Sequence, residues 1–225
     1  AAERTLARLG GRRLGTRQAR VLFRSDVAVG LLRSLVGAIR GPALYRRASF
    51  LLDALGQPIF PAFVRIHEDP LKPRGLGSSP FDDEGVATRP RDLVAGGILR
   101  GYVLDSYAAR RLGTQTTGNA GGVRNLTMEP GGLDLAGLLR EMGRGLLVTE
   151  LMGQGVNLVT GDYSRGAAGF WVEGGEIAYP VEEITIAGNM RDMFRNLVAV
   201  GRDQDCPGSF RTGSWLVESM TIAGE

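Results

Sequence analysis

The sequence is poor in the residues that build the commonest catalytic and covalent sites. Its 225 residues include one cysteine, Cys206, and one histidine, His67. A disulfide within the chain is therefore impossible, and a single histidine cannot supply a two-histidine zinc motif. One cysteine makes a reducing compartment the simplest expectation. No apolar run reaches the ~18 residues of a membrane-spanning helix, so no membrane partner is predicted.

Lysine is also scarce, because Lys72 is the only one and the other basic residues are arginines. Eleven of these arginines lie in residues 1–50 against two acidic residues, whereas the remainder of the chain is acidic. Two interpretations stay open. The basic segment could bind nucleic acid, or its arginines could lie on solvated helix faces or against an acidic partner.

Glycine is abundant, with 34 residues dispersed along the chain without a repeat. Scattered glycines between short apolar runs indicate turns, bulges and close backbone approaches in a strand-rich fold. Few helical segments separate successive strands. We therefore predict an α+β fold whose core is a strongly curved, mostly antiparallel, barrel-like β-sheet with a few packed helices.

Helices are predicted where apolar residues recur every three or four positions. The clearest spans Val27 to Arg40, and a second is predicted from Ala43 to Leu55. Shorter helices are expected after polar residues with N-cap chemistry, which are Asp105 or Ser106, then Asp134, then Asn189. Alternation predicts a strand over 61–68 and a hairpin that turns at Gly96-Gly97.

Polar side chains between glycines mark two candidate binding loops. The segment 161–166 is expected to form a tight loop between strands, stabilised by an Asp162–Arg165 pair, and 114–122 is a second loop. Other polar groups, at His67-Glu68, in the acidic run 82–84 and around Cys206, are interpreted as solvated surface features. The candidate peptide contacts are Thr117, Asn119, Asp162, Ser164 and Arg165.

Several stretches together closely resemble one known family. They are VTELMGQGVN (148–157), TGDYSRGAAGFW (160–171), EEITIAGN (182–189), TTGNAGG (116–122) and PFDDEGVAT (80–88). On these residues the chain resembles the C-terminal domain of the TldE (PmbA) proteins, within the TldD/PmbA metalloprotease family, whose members were once described as modulators of DNA gyrase.

The resemblance implies a division of labour between two similar subunits. A TldD-type subunit carries an HExxxH helix and a distant cysteine as zinc ligands, and its TldE-type partner is required but lacks the motif. The heterodimer is a cytoplasmic metalloprotease that acts on unfolded or small peptides. The resemblance also implies that 1–18 is the end of a helix from a missing N-terminal domain, and that 19–225 is the C-terminal domain.

The motif positions in this chain carry other residues. By the resemblance, Arg33 and Ala38 replace the two histidines and Ser34 replaces the glutamate. We therefore expect a non-catalytic, TldE-like pseudoenzyme subunit without a cofactor of its own, whose TldD-like partner holds the zinc. The alternative is a gyrase-modulating or nucleic-acid-binding protein without a protease role.

Overall fold

The computed structural model describes residues 6–205 and 207–224, and within them the chain forms five helices and eleven strands. The helices are α1 (Ser25–Ile39), α2 (Gly41–Tyr45), α3 (Ser106–Arg111), α4 (Leu135–Met142) and α5 (Met190–Arg195). The strands are β1 (Arg17–Phe23), β2 (Ile66–Glu68), β3 (Arg91–Ala95), β4 (Ile98–Leu99), β5 (Leu126–Met128), β6 (Gly145–Met152), β7 (Asp162–Glu173), β8 (Glu176–Asn189), β9 (Leu197–Val200), β10 (Phe210–Arg211) and β11 (Trp215–Ala223).

Five strands close into a barrel because β1 pairs along both of its edges. It runs parallel to β6, with Phe23 opposite Val148, and antiparallel to β11, with Phe23 opposite Trp215. The strand order is β1-β6-β7-β8-β11, and β9 extends the sheet from β11. A second, five-stranded sheet has the order β10-β5-β2-β3-β4. The predicted α+β fold with a curved, mostly antiparallel sheet is confirmed.

Strand alternation explains how the barrel is covered on both faces. Val21 and Phe23 of β1 belong to the main core, where the apolar face of α1 packs. Leu22 points the other way and packs with Leu138 and Met142 of α4. Burying one such side chain stabilises the fold by ~1.5–3 kcal/mol. Helix α1 contacts β6 of the barrel and β10 of the second sheet.

Three predicted caps are confirmed. The side chain of Asp105 accepts a hydrogen bond from the Ala108 amide at 2.7 Å, and Asp134 accepts one from Gly137 at 2.9 Å. Asn189 caps α5 in the same way. These bonds pair amides that the first helical turn leaves without a partner.

The predicted helix over 43–55 is wrong, because α2 ends at Tyr45. Arg47 and Asp53 adopt left-handed φ angles of 55° and 58°. The Ser49 hydroxyl donates to the Ala38 carbonyl and accepts from the Leu51 amide, so local side-chain bonds replace the helical ladder. The predicted strand over 61–68 is shortened to β2.

The terminal helix that we expected over 1–18 falls partly on 1–5, which lie outside the described residues. Turns occupy 7–10, and β1 begins at Arg17. None of the helices in the described part of the chain combines the length and apolar character needed to span a bilayer.

Candidate functional site

Helix α1 carries the three positions that the resemblance assigns to a zinc motif. The Arg33 guanidinium carbon lies 5.6 Å from the centroid of the Phe210 ring, a cation–π contact. The Ser34 hydroxyl donates to the Gly30 carbonyl at 3.0 Å. Ala38 is fully buried, and its carbonyl accepts the Ser49 hydroxyl at 2.6 Å. All three residues are thus part of the packing or hydrogen bonding of the helix.

These residues do not fit a zinc ion. Guanidinium has no lone pair to donate to a metal, and an alanine side chain has no donor atom. Ser34 offers no carboxylate that could act as a base for a bound water. Across residues 6–205 and 207–224, no three His, Cys, Asp or Glu side chains come together as a metal-holding group. Cys206 lies outside the described residues.

The first candidate loop is a β-strand rather than a loop. Strand β7 starts at Asp162, and the turn lies earlier, at 158–160, with Asn157 and Asp162 on either side of it. The Asn157 side chain accepts the Val159 amide at 2.9 Å, and the Asn157 amide donates to the Asp162 carbonyl at 2.8 Å. An Asx turn therefore closes the β6–β7 hairpin.

A bend between β6 and this turn brings Gly155 onto β7. The Ser164 amide donates to the Gly155 carbonyl at 2.8 Å, and Val156 pairs with Tyr163 as an isolated bridge. A β-carbon at Gly155 would lie 1.6 Å from the Ser164 carbonyl oxygen, so only glycine fits. We call residues 153–164 the hairpin tip.

Asp162 and Ser164 line an open groove on the outer face of the hairpin tip. The groove has a volume of about 410 Å³, and its remaining lining comes from 154–157. The Asp162 carboxylate is held by the Thr160 hydroxyl at 2.6 Å and by the Asn189 amide at 3.2 Å. Ser164 is exposed. Two of the predicted contact residues therefore meet in one place.

Arg165 lies on the opposite face of β7, so the predicted Asp162–Arg165 pair is wrong. Successive side chains of a strand point to alternate faces, so two residues that are three positions apart, such as Asp162 and Arg165, point to opposite faces. The Arg165 guanidinium instead donates to the Gly153 carbonyl at 2.7 Å and holds the bend of the hairpin tip. Beside it, Tyr163 is 2% exposed and packs edge-on against Phe23. Burial raises the pKa of the Tyr163 hydroxyl.

The hairpin tip contacts α1. The Leu158 side chain lies 3.2 Å from where a β-carbon of Gly37 would be, and the Leu158 carbonyl accepts the Phe50 amide at 2.7 Å. Gly37 lies one turn from Arg33 and one residue before Ala38. The hairpin tip therefore packs against the turn of α1 that includes the altered motif positions.

Thr117 and Asn119, the other two candidates, belong to a polar network. The Asn119 amide donates to Glu68 at 2.8 Å, its oxygen accepts Arg91 at 2.7 Å, and Thr117 donates to the same oxygen at 2.8 Å. Asn119 is 5% exposed and Glu68 is 1% exposed. Sequence reasoning assigned Glu68 to the surface, which is wrong. The alternation of a strand places Glu68 on the same face as the apolar Ile66, and this pattern could have indicated that Glu68 is buried.

The basic N-terminal segment is matched by acidic side chains of the barrel. Arg8 pairs with Glu150 at 2.6 Å, Arg20 with Glu218 at 2.9 Å, and Arg13 with Glu183. Arg12 and Arg17 stack on Tyr179 and Trp171. The partners of these five arginines are therefore side chains of the protein itself, an arrangement that neither interpretation of the sequence had named.

Comparison with known proteins gives consistent relatives. The profile of the PmbA/TldA metallopeptidase C-terminal domain matches residues 16–224. The chain is 54% identical to the metalloprotease PmbA of Escherichia coli O157:H7 over 100% of this chain and 50% of that protein. It therefore spans about half the length of the curated relatives that it matches.

Solved structures agree with this assignment. The structure of a putative modulator of DNA gyrase from Bacteroides thetaiotaomicron has a TM-score of 0.95 at 32% identity, covering 100% of this chain and 51% of that one. TldE from Thermococcus kodakarensis has a TM-score of 0.86 at 27% identity, covering 100% and 54%. The chain belongs to the PmbA/TldD family of metallopeptidases, of which it represents the C-terminal domain.

Proposed function

We propose that this chain is part of a TldE-type, non-catalytic subunit, which acts with a TldD-type partner as a peptidase on unfolded or small peptides. The observation that supports the proposal is α1, where Arg33, Ser34 and Ala38 stand at the positions that the resemblance assigns to the zinc motif, in a chain whose residues 16–224 match the family's C-terminal domain. In this proposal the partner supplies the zinc and the base, and this chain supplies part of the peptide cavity. The single cysteine agrees with the cytoplasmic location that the resemblance implies.

The hairpin tip is the part of the cavity that we assign to this chain. Asp162 and Ser164 contact the peptide directly, because both are exposed and line the groove. Thr160 and Asn189 fix the Asp162 carboxylate, so little side-chain entropy is lost when it accepts a peptide amide. Arg165, Thr117 and Asn119 act indirectly, since their bonds hold the loops in place.

Reconstitution tests the proposal. The full-length protein and a TldD-type subunit are purified separately, and cleavage of an unfolded peptide is measured for each alone and for the mixture. We expect cleavage in the mixture only, and zinc by metal analysis in the TldD-type subunit only. Cleavage by this protein alone, stoichiometric zinc in it, or equal cleavage by the partner without it would each refute the proposal.

A double variant and a matched control test whether the groove binds peptide. Asp162→Ala with Ser164→Ala removes the exposed polar groups, and we expect a ~10-fold higher KM for the peptide in the mixture. The matched control is Ser106→Ala, a partly exposed serine on α3, outside the hairpin tip. If the control raises KM as much as the groove variant, the groove does not bind peptide.

A further inference from the structure

A second concavity lies between α5 and the irregular segment that follows α2. It is a cleft of about 240 Å³ with buried apolar walls from Phe50, Leu51, Ile59 and Phe194. Phe194 is fixed from behind by Phe60, whose ring stacks at 4.6 Å between centroids. The cleft therefore has an apolar inner wall and a polar rim, and its volume is enough for one aliphatic or aromatic side chain.

Two arginines and one carboxylate stand at its mouth. Arg191 is oriented, because its Nε donates to the Phe50 carbonyl at 2.8 Å. Arg195, in the last turn of α5, is exposed and forms no ion pair or hydrogen bond with any described residue. Asp53 is exposed and offsets one of the two positive charges. The mouth keeps a net positive charge, carried by a guanidinium without a partner.

We propose that this cleft binds the C-terminal residue of a peptide, with its carboxylate on Arg195 and its apolar side chain against Ile59 and Phe194. Guanidinium binds carboxylate through two parallel hydrogen bonds, and a carboxylate attached to an apolar group matches a charged mouth over an apolar floor. The inference rests on the proposed peptide-binding function and names the substrate class: peptides with a free, apolar C-terminal residue.

The cleft adjoins the hairpin tip through Phe50, which lines the cleft and bonds to Leu158 of the hairpin tip. The Phe50 amide donates to the Leu158 carbonyl at 2.7 Å, and the Phe50 carbonyl accepts Arg191. The Met190 amide donates to the Gly161 carbonyl at 2.7 Å. Backbone hydrogen bonds thus join the wall of the cleft to the hairpin tip, which also carries the groove of Asp162 and Ser164.

Isothermal titration calorimetry on the intact protein, without its partner, tests binding separately from cleavage. The probes are acetyl-Ala-Ala-Leu, its C-terminal amide, and hexanoate. The variants are Arg195→Gln and Arg195→Lys, with Arg110→Gln as the matched control, because Arg110 also lies in the last turn of a six-residue helix. Thermal denaturation checks that each variant is folded.

We expect the acid peptide to bind about tenfold more tightly than the amide and than hexanoate. Arg195→Gln should remove that tenfold difference, Arg195→Lys should keep part of it, and Arg110→Gln should keep all of it. The inference would be overturned by any of four results. These are equal binding of the acid and amide peptides, tighter binding of hexanoate than of the acid peptide, an equal loss of the acid–amide difference in Arg110→Gln, and no binding at all. If Arg195→Gln does not fold, a full tenfold difference retained by Arg195→Lys would overturn it, and a partial loss would support it. Failure here with partner-dependent cleavage intact would leave the proposed function standing.

Discussion

A substitution at Asn119 tests whether this residue has a structural role or a binding role. Its side chain is buried in a hydrogen-bond network that includes the charged side chains of Glu68 and Arg91. Four hydrogen bonds join it to Glu68, Arg91, Thr117 and the Gly122 carbonyl. Asn119→Ala removes all four. The Glu68–Arg91 ion pair survives at 3.1 Å, and the Arg124 amide still donates to Glu68 at 2.7 Å. The variant therefore weakens the network without leaving an unpaired buried charge.

The size of the effect follows from the partners. A hydrogen bond to a charged group contributes ~1.5–3 kcal/mol and a neutral one ~1 kcal/mol, and two of the four are of the charged kind. Bonds within one network are not additive, so a loss of ~3–4 kcal/mol in the free energy of unfolding is expected. For a domain of this size that corresponds to a fall in Tm of ~10 °C.

Urea denaturation and thermal melts of the wild type and the variant measure this loss. Thr116→Ala is the control, since its hydroxyl in the same loop donates to the Leu104 carbonyl at 3.1 Å and accepts from the Gly118 amide at 3.2 Å, both neutral bonds, and it should cost only ~1–2 kcal/mol. The reasoning is refuted if Asn119→Ala changes stability by less than ~0.5 kcal/mol, a surface-like value. Weaker peptide binding at unchanged stability would instead make Asn119 a direct contact.

Three further predictions concern α1 and the acidic loop. Gly30→Ala should stabilise the protein by ~0.5–1 kcal/mol in urea denaturation, because open space surrounds the missing β-carbon within the helix; a loss of stability would contradict this. Ala38→His, a step towards a zinc motif, should destabilise by ~2 kcal/mol or more, since Ala38 is fully buried, whereas a variant as stable as the wild type would show spare room there. Asp82 is desolvated, which raises its pKa, but amide hydrogen bonds from Ala120, Val86 and Glu84 outweigh this and lower the pKa overall. The contribution of the Asp82 carboxylate to stability is present above the unfolded pKa of ~4 and is lost as pH falls through the lowered folded value. Asp82→Asn should therefore flatten the decline of stability between about pH 5 and pH 2, measured by acid titration with circular dichroism. An unchanged slope would exclude this linkage.

Much of the chain's local structure could be predicted from sequence, because it depends on bonds that span two or three residues. The caps at Asp105, Asp134 and Asn189 are of this kind. The predicted sheet class also follows from local alternation. The helix over 43–55 failed, since Ser49 bonds across eleven residues to the Ala38 carbonyl, a contact that periodicity does not contain.

The candidate site divides in the same way. The unsuitability of Arg33 and Ala38 as zinc ligands is a matter of side-chain chemistry, and the sequence alone determined it. Only the tertiary structure decided that β1 closes the barrel, that Asp162 and Arg165 point to opposite faces, and that Asn119 is buried against Glu68. Strand register and burial arise from contacts between residues far apart in the chain, whose free energies no local pattern records.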